Sequence, residues 1–111
     1  MSTAPLPSIT HLQFLVLEAL AEDEQAGRDL RARLGRHRVR RSAPAFYQMM
    51  ARLEDAALVE GRYEQQVVEG QLLKERRYRI TRPGRRAFEQ TRAFYLERLA
   101  AGGRVRRTSD A

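Results

Sequence analysis

The apolar residues of this chain change period twice, and that change narrows the available folds more than any other feature. Up to Ala57 they recur every three or four residues, the spacing that lines one face of an α-helix. From Leu58 to Thr81 they fall into two alternating runs around Glu69 and Gly70, as in the two strands of a hairpin. From Pro83 the helical spacing returns. With 111 residues and 42% apolar content there is material for one core and no second domain. The expected fold is therefore mainly α with a small β-hairpin: a winged helix-turn-helix plus one C-terminal helix.

The first helix has Ser8 or Thr10 as its cap and Ile9, Leu12, Leu15, Val16, Ala19 and Leu20 on one stripe. Phe14 and Leu17 lie off that stripe. A helix apolar on two sides is either central in a core or shared with a second subunit, and sharing is the expectation for so short a chain. The acidic run from Glu22 to Glu24 closes this helix. A second helix begins near Gly27, buries Leu30 and Leu34, and is expected to stop at Gly35.

Ser42 caps the third helix, which tolerates Pro44 in its first turn. Its expected buried stripe is Phe46, Met49, Met50, Leu53 and Ala57, with Tyr47, Gln48, Ala51 and Arg52 facing out. In the second strand Tyr78 and Ile80 share an apolar underside, while Arg77 and Arg79 share a basic top with Glu75. Thr81 then caps a last helix running to about Ala101. Its stripe of Ala87, Phe88, Thr91, Phe94, Tyr95 and Leu99 is broader than the hairpin underside can cover. The expected organisation is residues 8–82 for the winged helix-turn-helix, 83–101 for a dimerisation helix and 102–111 for a disordered basic tail.

Charge narrows the function. The net charge is +7, and it is concentrated in two blocks, residues 28–41 and 74–92, each summing to +6. Two basic blocks flanking a helix-turn-helix pattern suit a polyanion such as double-stranded DNA. All but one of the 21 basic residues are arginine, whose fork bonds phosphate and guanine in pairs. The chain contains no cysteine, its two histidines lie 26 residues apart, and no nucleophile–base pair or phosphate-cradling glycine loop is present. No metal, cofactor or catalytic role is expected. Neither a signal sequence nor a membrane span is recognisable, which points to the cytoplasm.

Three stretches carry a family resemblance: HLQFLVLEALAE, FYQMMARLEDAALVEG and ERRYRITRPGRRAF. Over about His11 to Leu99 the chain resembles the PadR family of winged-helix transcription regulators. The resemblance implies that the third helix enters the major groove, the wing lies alongside, and the last helix dimerises. It carries over to Tyr47 and to the stretch from Arg76 to Thr81. Pro44 and Ala45 stand where many members have Gly-Thr, and Ala57 stands where a glycine often ends the helix.

The candidate DNA contacts are Arg38, Arg40, Arg41, Ser42, Arg77 and Arg79 for phosphates, and Tyr47, Gln48 and Arg52 for base edges. The candidate homodimer interface is Phe14, Leu17, Phe88, Phe94, Tyr95 and Leu99. Within it, Phe14, Leu17, Phe94 and Tyr95 are candidates to line a pocket for a small aromatic or cationic effector, as the resemblance implies. Two other functions compete: a winged-helix protein-interaction module, and a non-specific nucleic-acid binder. An interaction wing would show an apolar top, and a non-specific binder would show exposed stacking aromatics.

Overall fold

Thr10 opens the first helix, α1 (His11–Glu22), through a reciprocal cap. Its hydroxyl accepts from the Gln13 N–H at 3.1 Å, and the Gln13 side chain accepts from the Thr10 N–H at 3.0 Å. The computed structural model describes residues 6–109, with side chains described as far as Gly102. After α1 come β1 (Gln25–Ala26), α2 (Gly27–Arg36), α3 (Ala43–Asp55), β2 (Val59–Val68), β3 (Gln71–Ile80) and α4 (Arg82–Ser109).

This is a winged helix with a C-terminal helix. The hairpin is joined by one strand that the apolar period could not reveal, because two residues are too few to alternate. Gln25 and Ala26 pair with Tyr78 and Arg77, giving an antiparallel sheet of order β1-β3-β2. The wing turns at Glu69 and Gly70, both at positive φ, so that Val68 pairs with Gln71.

Both helices of the helix-turn-helix end without glycine. The expected stop, Gly35, lies inside α2. The chain instead reverses at Arg38, whose φ is 65°, with Val39 N–H bonded to the Leu34 carbonyl at 2.9 Å and Arg38 N–H to Gly35 at 3.1 Å. In the same way α3 ends at Ala57, φ 61°, with Leu58 N–H bonded to Leu53 at 3.0 Å. Ala57 is thus exposed and outside the helix rather than in the buried stripe. A left-handed non-glycine residue costs roughly 1–2 kcal/mol, so packing around both turns must hold them.

The core is built from Val16, Leu17, Leu30, Phe46, Met50 and Leu53, all fully enclosed, with Tyr78 and Val59 closing it from the sheet. Helix α1 is central to it. The last helix rests on α1, where Phe14 and Phe88 stack with ring centroids 5.2 Å apart, and not over the hairpin underside as its stripe suggested. Beyond Thr91 no described residue of α4 is buried. The helix also passes the expected end at Ala101 and continues to Ser109, so residues 102–109 are helical where a disordered tail was expected. Each of Gly102 and Gly103 costs only about 1 kcal/mol relative to alanine, too little to stop an established helix. Residues 110–111 of that tail lie outside the described residues.

One joint orients wing and last helix together. The Thr81 hydroxyl donates to the Ala57 carbonyl at 2.6 Å and accepts from the Gly84 N–H at 3.0 Å, while Thr81 N–H bonds the Leu58 carbonyl at 3.1 Å. Gly84 lies so close to the Leu58 carbonyl that a side chain there would overlap it. The Tyr-x-Ile-Thr-x-x-Gly pattern is therefore the sequence of this joint: Tyr78 and Ile80 pack inward, Thr81 caps, and Gly84 permits the approach.

Candidate functional site

Ser42 starts α3 by accepting from the Ala45 N–H at 3.3 Å, and the helix then turns Phe46, Met49, Met50 and Leu53 inward. That leaves Tyr47, Gln48, Ala51 and Arg52 exposed along one polar face. Tyr47 is braced rather than free. Its ring meets Phe46 edge-on with centroids 5.1 Å apart and packs so closely on Gly27 that a Cβ there would lie 2.8 Å from its Cε1. The brace fixes where the hydroxyl end is presented, and the residue stays 37% exposed.

Beside Tyr47 the surface is strongly basic. Arg28, Arg31 and Arg36 on α2, with Arg40 and Arg41 from the following loop, surround a hollow of about 610 Å3 that has Tyr47 on its rim. Arg31 Nε donates to the Arg41 carbonyl at 3.0 Å and holds the loop against the helix. Arg38 takes the left-handed turn with its side chain exposed and does not line the hollow.

The wing differs from the expected basic top. Arg77 lies between three carboxylates, 3.5 Å from Glu24, 3.3 Å from Glu64 and 3.4 Å from Glu75. Arg79 pairs with Glu60 at 2.5 Å, and Arg62 with Glu24 at 3.0 Å. Hydrogen bonds from Arg62, together with the charges of Arg62 and Arg77, hold the Glu24 carboxyl below its ordinary pKa against the opposing effect of burial. On β2, Glu60 stands directly across from Arg79, Glu64 lies diagonally from Arg77, whose direct partner is Arg62, and Glu24 immediately precedes the unforeseen strand β1. The wing's apparent charge is therefore largely compensated.

On the wing's other face Arg76 ties the sheet to α3. Its guanidinium reaches Glu54 at 2.8 Å and lies 4.6 Å from the centre of the Tyr63 ring. Gly61 leaves the room, since a Cβ there would sit 2.7 Å from an Arg76 nitrogen. The same cleft holds Tyr47, Lys74 and Tyr78; burial pushes the Tyr78 hydroxyl pKa up. Further out, Val67 and Leu72 face each other across the hairpin at 72% and 64% exposure.

A second concave region, about 570 Å3, runs between the N-terminal segment, α1 and α4, lined by Leu6, Ile9, Phe14, Leu15, Tyr95 and Leu99 among others. Of the residues expected at an interface, Tyr95 and Leu99 are exposed and Phe14 and Phe88 are half-buried against each other. Two placements need correction. Leu17 is wholly enclosed in the subunit core and is available neither to a partner nor to this groove, because it lies on the side of α1 that faces the core, whereas Phe14 and Leu15 line the groove. Phe94 is turned away from the groove, meeting Tyr95 edge-on with Arg98 over its ring.

The structure thus brings the α3 face together with Arg40 and Arg41, and adds Arg28, Arg31 and Arg36, which were not among the candidates; Arg76, within the stretch that the resemblance carried over, is bonded to Glu54 of α3. Arg28, Arg31 and Arg36 were legible in principle, since Arg28 and Arg36 lie on the helical face opposite Leu30 and Leu34 and Arg31 lies at its edge. The Glu54–Arg76 contact, 22 residues apart and across two elements, had no local signal.

Among the described residues no helix is long and apolar enough to cross a membrane, and no cluster of side chains could hold a metal ion. The model of the transcriptional regulator PadR-like family matches residues 16–90. Comparison with curated proteins gave no match. Among solved structures, a PadR family transcription regulator from hypervirulent Clostridium difficile R20291 is similar at 16% identity and TM-score 0.69, over 86% of this chain and 98% of that one. A PadR-like transcriptional regulator from Bacillus cereus shows 20% identity and TM-score 0.65, over 85% and 90%. Bacillus subtilis PadR, solved in complex with operator DNA, shows 18% identity and TM-score 0.61, over 72% of this chain and 45% of that one. At these identities the likeness is one of fold.

Proposed function

Since the chain belongs to the PadR-like family of transcriptional regulators, we propose that it binds an operator in duplex DNA as a homodimer and represses transcription by occupying it. The observation that carries this reading is the exposed polar face of α3, with Tyr47, Gln48 and Arg52, set directly beside the arginine hollow. In a major groove Gln48 has the geometry to pair bidentately with adenine, Arg52 with guanine, and Tyr47 to bond a phosphate or pack on a thymine methyl. Arg40 and Arg41 then fix register on the backbone, with Ser42 and its helix N-terminus close by. The operator-bound Bacillus subtilis relative supports the same use of the fold.

Dimerisation follows from surface left uncovered. Tyr95, Leu96 and Leu99 are all exposed on the free part of α4, next to the half-buried Phe14. Burying such side chains stabilises by about 1.5–3 kcal/mol each, which a second α4 can supply. Two-fold symmetry then places two recognition helices about 34 Å apart, one turn of DNA. The groove bearing Phe14 and Tyr95 lies at that junction, where a small aromatic or cationic effector would alter the spacing of the two α3 helices and release the operator. Such a regulator works in the cytoplasm.

Selection of bound duplexes from a random pool, followed by sequencing, tests the reading. The expected product is an inverted repeat with half-sites one helical turn apart. Recovery of no motif, with affinity independent of sequence, would leave only a non-specific binder. A second reading has one observation in its favour: the apolar wing tip at Val67, Val68, Leu72 and Leu73 suits a protein partner better than a phosphate. A Val67→Ser/Leu72→Ser variant that binds DNA normally but no longer regulates would support it.

A further inference from the structure

We infer that the Glu54–Arg76 pair is a positioning device for recognition: it holds the wing at a fixed angle to α3, so that both meet one duplex without first having to be ordered. This inference rests on the DNA-binding reading and assigns within it two residues that act through the wing. Glu54 stands in the last turn of α3, where the helix dipole disfavours a carboxylate. Arg76 offsets that cost from across the cleft at 2.8 Å, with both side chains only 26% exposed. Among the described residues it is the one ion pair that α3 makes.

The wing needs such a hold. From Arg62 to Arg77 no residue of the hairpin is buried, and a cleft of about 550 Å3 separates α3 from the wing, so packing does not fix the angle between them. The hold is also two-sided. Arg76 pairs across the hairpin with Tyr63, and the neighbouring rung is Arg62 with Arg77. One rung is tied to α3 through Glu54. The other, whose side chains point to the opposite face, is tied to Glu24 just ahead of β1, 3.0 Å from Arg62 and 3.5 Å from Arg77. Carboxylates from two parts of the body thus hold the base of the wing from both faces.

The lever beyond this point is long. From Tyr63 to the tip at Val68 the extended chain spans about 17 Å. A tilt of about 10° at the base would carry the tip about 3 Å, the length of a hydrogen bond. Gly61 leaves the room for the pair: a Cβ there would overlap the Glu54 carboxylate and lie 2.7 Å from an Arg76 nitrogen. Alanine at that position would therefore displace the pair without changing the charge of the protein.

The test uses Glu54→Ala and Gly61→Ala, with thermal unfolding to confirm that both fold. Removing a carboxylate close to DNA should, by charge alone, tighten binding. The positioning role requires the opposite sign. In fluorescence anisotropy on the selected duplex each variant should bind about fivefold more weakly, the equivalent of one polar interaction, and the double variant also about fivefold, not the about twenty-fivefold of independent effects. For Gly61→Ala the log–log salt line should run parallel to that of the unaltered protein, because no phosphate contact is lost. A second measurement needs no DNA. The chain has no cysteine, so Asp29→Cys and Gln71→Cys, both at exposed positions, carry spin labels on α2 and the wing. Dilution with unlabelled protein leaves only distances within one subunit. Their distribution should widen by about 3 Å in both variants. An unchanged width, a Glu54→Ala protein that binds as tightly as the unaltered one or more tightly, or a Gly61→Ala salt slope lower by about 0.9 overturns the inference. Failure of the unaltered protein to bind the selected duplex defeats the DNA reading itself, and the distance measurement, made without DNA, tells the two failures apart.

Discussion

Replacing Gly84 by alanine should cost this protein about 1–2 kcal/mol net, although alanine is the better helix former. Gly84 is the third residue of α4, and a Cβ there would overlap the Leu58 carbonyl oxygen, stand 2.9 Å from its carbon and touch Ile80 at 3.0 Å. The main obstacle is backbone, so no side-chain rotation relieves it. Either the turn strains, at about 1–3 kcal/mol for overpacking, or α4 lifts away. Lifting breaks the Thr81 bonds to Ala57 and Leu58, at about 1 kcal/mol each. Against this, removing glycine from a helix gains about 0.5–1 kcal/mol. For a domain of this size about 4 °C accompanies each kcal/mol, so the melting temperature should fall by about 4–8 °C in circular dichroism at fixed protein concentration. Gly35→Ala is the control: it also lies in a helix, but an added Cβ has nothing within 4 Å, and stability should rise by about 0.5–1 kcal/mol. A Gly84→Ala protein as stable as the unaltered one would refute the account of the joint.

Ala57→Gly should stabilise by up to about 1 kcal/mol, the left-handed strain relieved less the entropy added to the unfolded chain, and an unchanged urea midpoint would count against strain there. Glu24 has a lowered folded pKa, so its contribution is fully present above the ordinary carboxylate value of about 4.3 and is lost as pH falls through the lowered one. Glu24→Gln should therefore flatten the acid limb of the stability curve, and parallel curves for the two proteins would contradict the ion-pair network. Leu99→Asp, at a position 72% exposed in the subunit, should give folded monomers with much weaker DNA binding; light scattering showing that the unaltered protein is monomeric at tens of micromolar would remove the dimer from the proposal.

Elements with a strong period were readable from the sequence: the α1, α3 and α4 stripes, the hairpin and its turn at Glu69 and Gly70, and the Thr81 cap all follow from local pattern. Three things were not readable, each for a physical reason. Strand β1 is two residues long and exists only because β3 offers an unpaired edge at Arg77 and Tyr78. The helix stops at Arg38 and Ala57 use left-handed residues that have a Cβ, so the search for glycine found the wrong stop at Gly35. The wing arginines read as free because their partners, Glu24 and Glu60, lie 53 and 19 residues away in sequence. The face of α1 bearing Leu17 was ambiguous for a related reason: a doubly apolar helix fits both a shared surface and a central core, and Leu17 packs into the core that α1 forms with α2, α3 and the sheet.

The most direct test of the central claim, that the exposed face of α3 reads base edges, is the affinity of Gln48→Ala for the selected duplex and for every single-base change within it. Discrimination should fall by about 1–3 kcal/mol at one base position in each half-site and be kept at the others, whereas Arg40→Ala should weaken all of these duplexes about equally. If Gln48→Ala shows the same preference as the unaltered protein at every position, α3 does not enter the groove as proposed.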